Sequence, residues 1–160
     1  MKRLLFWVSC MVMLVANVAQ AEDVDYRLPG AIKPTFQQIH LNIDPDQPDY
    51  SGETIIELTI TEPVTKVGFY QMDIQVTNAE LRQGNRIYPL RITEGDYNIN
   101  WGHSSATVPV GTYELAISFE GKVNTSSDGM YLSSFEGRNY IFTQFEDMHA
   151  RKAFPSFDEP

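Results

Sequence analysis

The sequence predicts an all-β fold, either a sandwich or a strongly curved sheet. Apolar and polar residues alternate through much of the chain after Thr35, as they do in strands that bury one face. Clusters of Pro, Gly, Asn and Asp, which favour turns, separate these alternating segments at close spacing. No segment keeps a 3.6-residue apolar period over three turns, so nothing in the sequence favours a long helix.

The individual strands follow from this alternation. Residues Glu22–Lys33 are expected to form an extended lead-in, because a Pro-Gly pair and the proline that follows oppose regular structure. Ile39–Ile43 and Ile56–Ile60 then alternate, and Tyr113–Phe119 gives the clearest case, with every second residue large and apolar. Further strands are predicted at Lys66–Tyr70, Ile74–Arg82, Arg86–Ile92, Tyr97–Trp101, Met130–Phe135 and Asn139–Phe145.

The composition limits the class of protein. The 160 residues include 21 acidic and 12 basic side chains, a net charge of −9, so the chain lacks the basic surface that nucleic-acid binding requires. An apolar fraction of 42% is too high for a disordered acidic tail. The length fits one globular domain. We therefore expect a single folded acidic domain with no nucleic-acid partner.

The first 21 residues have the pattern of a cleaved secretory signal peptide. Lys2 and Arg3 precede the apolar run Leu4–Val18, and Ala19–Ala21 has the small-x-small form of a cleavage site. A retained membrane anchor is the alternative, but the run is shorter than the roughly 20 residues that span a bilayer. Cleavage leaves residues 22–160 with no cysteine and therefore no disulfide. We expect this domain to be secreted or periplasmic, without membrane attachment after cleavage.

Candidate catalytic and metal-binding side chains are few. His40 lies at a polar position of a predicted strand, His103 in a predicted loop, and His149 beside two basic residues that would repel a metal ion. The chain has no His-Glu-x-x-His motif. The acidic loop Asp44–Asp49 could attract calcium, although its prolines favour a solvated turn. We expect no catalytic residue and no bound metal in this chain.

Thr143–Glu146 contains the most informative polar pair. If the preceding strand continues through it, Gln144 and Glu146 project from one face and Phe145 from the other. An amide oxygen and a carboxylate side by side can accept hydrogen bonds from a ligand ammonium group. On residue types alone, an exposed polar face with no ligand is the alternative.

Three segments near the end of the chain occur in a fixed order: D-G-M-Y-L-S-S-F at 128–135, T-Q-F-E at 143–146 and A-R-K-A-F-P-S-F-D-E-P at 150–160. Their order and spacing resemble the N-terminal domain of the M1 family of zinc aminopeptidases. Arg27–Pro29 and Tyr50–Gly52 look like the usual beginning of that domain, so the resemblance spans about residues 25–160. Ser156 stands where many members have cysteine, and we expect little effect on packing because both residues are small.

The resemblance implies a saddle-shaped, mainly antiparallel, β-sandwich-like domain that packs on a following catalytic domain. That catalytic domain would hold the zinc, so this chain would bind none and would be inactive alone. By resemblance, Gln144 lines the pocket for the first side chain of the substrate, and Glu146 binds its free α-amine. The partners implied are peptides with a free N-terminus and the catalytic domain itself.

Two functions are compatible with the sequence. The first is the N-terminal portion of a secreted zinc aminopeptidase that removes N-terminal residues from peptides. The second is a non-catalytic secreted β-sandwich, either a peptide-binding module or a decayed aminopeptidase remnant. Apolar residues close to the last residue, Phe154 and Phe157 among them, are expected to pack against a part of the protein that follows. That expectation favours the first function.

Overall fold

The computed structural model describes residues 27–157, and within that range the chain is built from strands, with no α-helix. Two 3-10 helices, Asp96–Asn98 and His149–Lys152, are its other regular elements. The all-β prediction is therefore confirmed, while the predicted signal peptide lies outside the described residues. The strands are β1 (Ile32–Asn42), β2 (Asp49–Ile60), β3 (Val64–Tyr70), β4 (Gln75–Gln83), β5 (Arg86–Glu94), β6 (Ile99–Val108), β7 (Gly111–Lys122), β8 (Gly129–Phe135) and β9 (Arg138–Gln144).

Seven strands form one antiparallel sheet that curls into a half-barrel. The order across the sheet is β1-β2-β7-β4-β5-β6-β3, so β1 and β3 are the two outermost strands. The longest pairing joins β2 and β7 along the whole of both strands. β8 and β9 form a separate two-stranded ribbon. The curved, mainly antiparallel architecture implied by the resemblance is confirmed.

The main hydrophobic core fills the inside of the half-barrel. Leu58 of β2 lies opposite Tyr113 of β7, and Ile56 lies opposite Leu115. All four side chains are at most 2% exposed. Burial of one such side chain stabilises the fold by about 1.5–3 kcal/mol, so the period-two pattern marks the main source of stability. The other strands of the sheet contribute Ile32, Val67, Phe69, Ala79, Leu81, Leu90 and Val108.

The first strand begins earlier than the sequence predicts. The expected lead-in runs to Lys33, but β1 begins at Ile32 and includes Pro34. β1 is an outermost strand that pairs only with β2, so a missing backbone N–H on its open side is tolerated. A register shift between Pro34 and Phe36 accommodates the proline.

The prediction for the sixth strand is wrong at both ends. The sequence predicts a strand at Tyr97–Trp101 and a loop at His103, whereas β6 starts at Ile99 and continues through His103. The two residues before β6 have positive φ angles within a 3-10 helix, which delays the start of the strand. Gly102 lies against the core, where a Cβ would be 2.9 Å from Leu90 Cδ1. A glycine at an inward position hides the apolar alternation on which the prediction depends.

Residues 150–157, here named the C-terminal clasp, join the two outermost strands of the half-barrel. The Gln37 side-chain amide in β1 donates to the Pro155 carbonyl oxygen at 2.9 Å. Tyr70, at the end of β3, exchanges two backbone hydrogen bonds with Ser156, at 2.8 and 3.0 Å. The clasp therefore spans the gap between β1 and β3, and it satisfies backbone groups that a sheet edge leaves unpaired.

The aromatic residues of the clasp pack within this domain. Phe157 is 5% exposed and belongs to the main core. Phe154 meets the Phe145 ring edge-on, with ring centroids 5.6 Å apart. The expectation that these residues pack against a following part of the protein is therefore wrong. The clasp folds back over the seam of the half-barrel, which a local sequence pattern does not reveal.

Tyr50 ties the clasp to β2. Its side chain is 4% exposed, and its hydroxyl donates to the Ala153 carbonyl oxygen at 2.9 Å. Burial raises the pKa of Tyr50 from 10.0 to about 12. The folded protein therefore holds this proton more tightly than the unfolded chain does. The resulting stabilisation is fully present below pH 10 and is lost as the pH rises through 12.

We expect the free energy of unfolding to fall between pH 10 and pH 12, and to fall less steeply in Tyr50→Phe. Urea unfolding at a series of pH values measures this difference. Tyr140→Phe is the matched control, because Tyr140 is 41% exposed and lies outside the clasp. The control should decline as the wild type does. Parallel declines in Tyr50→Phe and the wild type would contradict the assignment.

Ser156 contains a buried hydroxyl group that makes no hydrogen bond within the described residues. An unsatisfied buried polar group costs about 1–3 kcal/mol. Ser156→Ala should therefore raise the free energy of unfolding by about 1 kcal/mol, as measured by chemical denaturation. The control is Thr54→Val, because the buried Thr54 hydroxyl accepts a hydrogen bond from the Gln37 amide at 2.8 Å. That change should lower stability by about 1 kcal/mol. Losses of equal size at both positions would rule out the interpretation.

Candidate functional site

The β8–β9 ribbon ends at the predicted binding pair and is packed against one end of the sheet. Its inner face contributes Met130, which is 1% exposed, and Ile141 to a second hydrophobic cluster. These two side chains meet Tyr50 and Phe119 from the sheet and Ala153 from the clasp. The ribbon is therefore held in place by both the sheet and the clasp.

The outer face of the ribbon is aromatic. Tyr131 and Phe142 lie opposite each other, with stacked rings 5.9 Å apart. Phe135 and Tyr140 extend this surface and are 66% and 41% exposed. We name these four side chains the aromatic ledge. Gln144 follows on the same side of β9, because alternate residues of a strand share a face.

Gln144 and Glu146 lie close together, but through a turn instead of a strand. β9 ends at Gln144, one residue before the predicted end at Phe145, so the strand does not continue through Glu146. The Glu146 backbone N–H donates to Gln144 Oε1 at 3.2 Å. Asp147 has a φ angle of 59°, which an extended strand cannot accommodate. Phe145 packs toward the second cluster, as predicted, while Gln144 and Glu146 are exposed.

Glu146 presents the acidic group of this turn to solvent. No ion pair engages its carboxylate within residues 27–157. A carboxylate accepts charge-assisted hydrogen bonds from an ammonium group, and these are stronger than neutral ones. The neighbouring Gln144 uses its side-chain oxygen inside the turn, so its NH2 group is the part that can meet a ligand. The arrangement can bind a primary ammonium next to a polar side-chain contact.

The clasp also contacts the loop that leads into the ribbon. Lys152 forms an ion pair with Asp128, which accepts a second hydrogen bond from the Ser126 hydroxyl at 2.7 Å. The Lys152 ammonium, followed by the Ser126 hydroxyl, lowers the pKa of the Asp128 carboxyl group. Arg151 lies over the Tyr70 ring, 3.8 Å from its centroid. The segments at 128–135 and 150–157 that carry the resemblance therefore lie side by side in the fold.

The three histidines are dispersed over different elements. His40 is exposed in β1, His103 lies in β6 and His149 is half-buried in the second 3-10 helix. The acidic loop Asp44–Asp49 contains a turn in which its first carboxylate accepts the backbone N–H two residues later, at 3.0 Å. In the part of the chain that the structure describes, no three His, Cys, Asp or Glu side chains form a group that could hold a metal ion.

Comparison with known proteins identifies the family. The family model for the peptidase M1 N-terminal domain matches residues 33–160. The chain belongs to the peptidase M1 family. This finding confirms the resemblance inferred from the three C-terminal segments, and the match extends from β1 to the last residue of the sequence.

Relatives from plants, bacteria and animals are aminopeptidases by name. They include Aminopeptidase M1-D of Oryza sativa subsp. japonica, 30% identical over 139 residues, and Aminopeptidase N of Acetobacter pasteurianus, 27% identical over 140 residues. Endoplasmic reticulum aminopeptidase 1 of Rattus norvegicus is 28% identical over 145 residues. Each match covers 84% of this chain. The chain spans 16% of the plant and rat proteins and 39% of the bacterial one.

Gly129 allows the ribbon to start directly against the clasp. Its φ angle is +65°, and a Cβ there would lie 2.8 Å from the Lys152 Cβ. Gly129→Ala should lower the free energy of unfolding by about 2–4 kcal/mol, because backbone strain of roughly 1–2 kcal/mol adds to the displacement of Lys152. Gly84→Ala is the matched control, since Gly84 has a φ of +55° with nothing within 4 Å. It should lose only the strain, about 1–2 kcal/mol, in the same denaturation experiment. Equal losses would show that the contact has no energetic role.

Proposed function

We propose that this chain is the N-terminal portion of a secreted aminopeptidase that removes single residues from the N-terminus of peptides. Membership of the peptidase M1 family supports this, and the relatives named above are aminopeptidases. The observation that carries the proposal is the exposed turn at the end of β9. There, the carboxylate of Glu146 lies beside Gln144, and no ion pair engages this carboxylate within the described residues.

In this proposal Glu146 binds the α-ammonium group of the substrate, and Gln144 lines the pocket for its first side chain. Hydrogen bonds to charged groups contribute roughly 1.5–3 kcal/mol. That is enough to favour a free N-terminus over a blocked one by about tenfold or more. The restriction to peptide ends would then be set partly in this domain, while bond cleavage takes place in another.

The aromatic ledge is the proposed contact surface for a following catalytic domain. Phe135 is 66% exposed and Phe142 is 48% exposed, and they lie on one face of the ribbon with Tyr140 between them. Contiguous exposed apolar surface of this kind marks sites of protein association. The relatives extend well beyond the region matched by this chain, which supplies a candidate for the covering polypeptide. Contact at the ledge would bring Gln144 and Glu146 to the boundary between the two domains.

Zinc is proposed to belong to that catalytic domain. The side chains described here do not fit a zinc site, because their histidines lie on three separate elements and no group of three metal-binding side chains forms among them. No step of the reaction is therefore assigned to a metal on this chain. Its own residues bind and orient the substrate, and by this proposal the chain alone has no peptidase activity.

Secretion or export to the periplasm is the proposed destination, with residues 1–21 as the signal peptide and 22–160 as the domain. The basic start, the apolar run and the small-x-small site of the sequence support this. Within residues 27–157, no helix has the length and apolar character needed to cross a membrane.

Glu146→Gln in the complete enzyme tests the proposed anchor, because it removes the charge and keeps the size of the side chain. The measurement compares inhibition by one dipeptide with a free and with an acetylated N-terminus. The wild type should prefer the free form by about tenfold or more, and the variant should largely lose that preference. Glu136→Gln, an exposed carboxylate at the opposite end of the ribbon, is the control and should keep it. An unchanged preference in Glu146→Gln would show that the anchor lies elsewhere.

A further inference from the structure

A polar groove of about 1060 Å³ opens at one end of the half-barrel. Its walls are the first residues of β2, β4 and β6, the last residues of β1, β5 and β7, and the loop that follows β3. The apolar core occupies the interior beside it, so the groove is the mouth of the half-barrel. Ligands commonly bind in the mouths of β-barrels, in pockets of about 300–1,000 Å³. This groove has the size for a short peptide.

The lining of the groove is strongly acidic. No ion pair within residues 27–157 engages any of its carboxylates. A concave surface of one charge sign focuses its electrostatic potential and attracts ions of the opposite charge. The charged residues of the lining are Asp44, Asp49, Asp73, Glu94 and Glu120, with Lys122 as their basic counterpart.

Asn100 gives an independent indication of a ligand. Its side chain is 3% exposed, and it lies on the inner face of β6, the same face as Gly102. The residue lines the groove, and its carboxamide makes no hydrogen bond to the other described residues. Its carboxamide is not among the fully enclosed side-chain groups that lack a partner, so it is open to one that enters the groove. Further amides line the same walls: Asn42, Gln47, Gln71, Gln75 and Asn98.

We propose that this groove binds a lysine-containing peptide segment. The carboxylates on opposite walls accept hydrogen bonds from the ammonium groups of the lysine side chains. The side-chain amides carry both donors and acceptors, which match the C=O and N–H groups of a peptide backbone. Neither Gln144 nor Glu146 lines the groove, so the site is separate from the proposed substrate anchor and does not depend on it.

The first experiment titrates the full chain with a trilysine peptide that is acetylated at its N-terminus and amidated at its C-terminus. The acetyl group prevents binding through Glu146, so a failure of the proposed anchor does not affect the result. Calorimetry at low ionic strength should show one site on the wild type. The double variant Asp73→Asn, Glu94→Gln should weaken binding about five- to tenfold, because both carboxylates are exposed groove residues.

The double variant Glu57→Gln, Glu62→Gln is the matched control. It removes the same charge from exposed positions outside the groove and should leave the affinity unchanged. Weakening of equal size in both double variants would overturn the proposal, because it would show attraction to the net charge of the protein. Absence of binding to the wild type would overturn it as well.

The second experiment distinguishes a peptide site from a general cation site. Asn100→Leu removes no charge, and it should weaken trilysine binding about threefold or more at any ionic strength, with folding checked by thermal unfolding. A linear polyamine with more ammonium groups than the peptide has no peptide backbone and should bind less tightly. Equal or tighter polyamine binding, or an unchanged affinity in folded Asn100→Leu, would overturn the assignment to a peptide.

Discussion

The half-barrel depends on the contact between the C-terminal clasp and the two outermost strands. A curled sheet that is not closed leaves unpaired backbone groups along both edges and a core that water can reach. Gln37 and Tyr70 bond to the clasp from opposite edges, and Phe157 enters the core between them. A single hydrogen bond of this kind contributes only about 1 kcal/mol. The two outermost strands are therefore held together by several weak hydrogen bonds to the clasp, together with the burial of Phe157 in the core.

The same clasp positions the binding turn. Ala153 and Phe154 pack against the inner face of the ribbon, and Lys152 is paired with Asp128 at the entry to β8. The ribbon leads directly into the turn at Gln144 and Glu146. Closure of the half-barrel and placement of the binding pair are thus two results of one set of contacts. A change that loosens the clasp is expected to disturb both stability and binding.

Local sequence patterns predict the strands whose formation depends on the alternation of apolar and polar residues along the chain. Alternation located most strands, and it failed at Pro34 and Gly102, where an edge position and a close approach to the core permit unusual residues. The proximity of Gln144 and Glu146 was predictable, but the turn in which they meet was not, since it rests on a bond from the Glu146 N–H to the Gln144 side chain and is followed by a positive φ at Asp147. The aromatic ledge had a signal, because Tyr140 and Phe142 alternate along one face of β9 while Ile141 lies on the other. No sequence pattern predicted the acidic groove, because its walls come from separate chain segments that only the strand order brings together.

The clasp is also among the last parts of the domain to be synthesised. Its contacts with Gln37 and Tyr50 join residues separated by 118 and 103 positions in the chain. Contacts of this range form slowly, because a long loop must close before they stabilise anything. On the ribosome, the strands of the half-barrel emerge well before the segment that seals them. A nascent chain therefore presents an open apolar seam to chaperones and proteases until nearly the whole domain has been made.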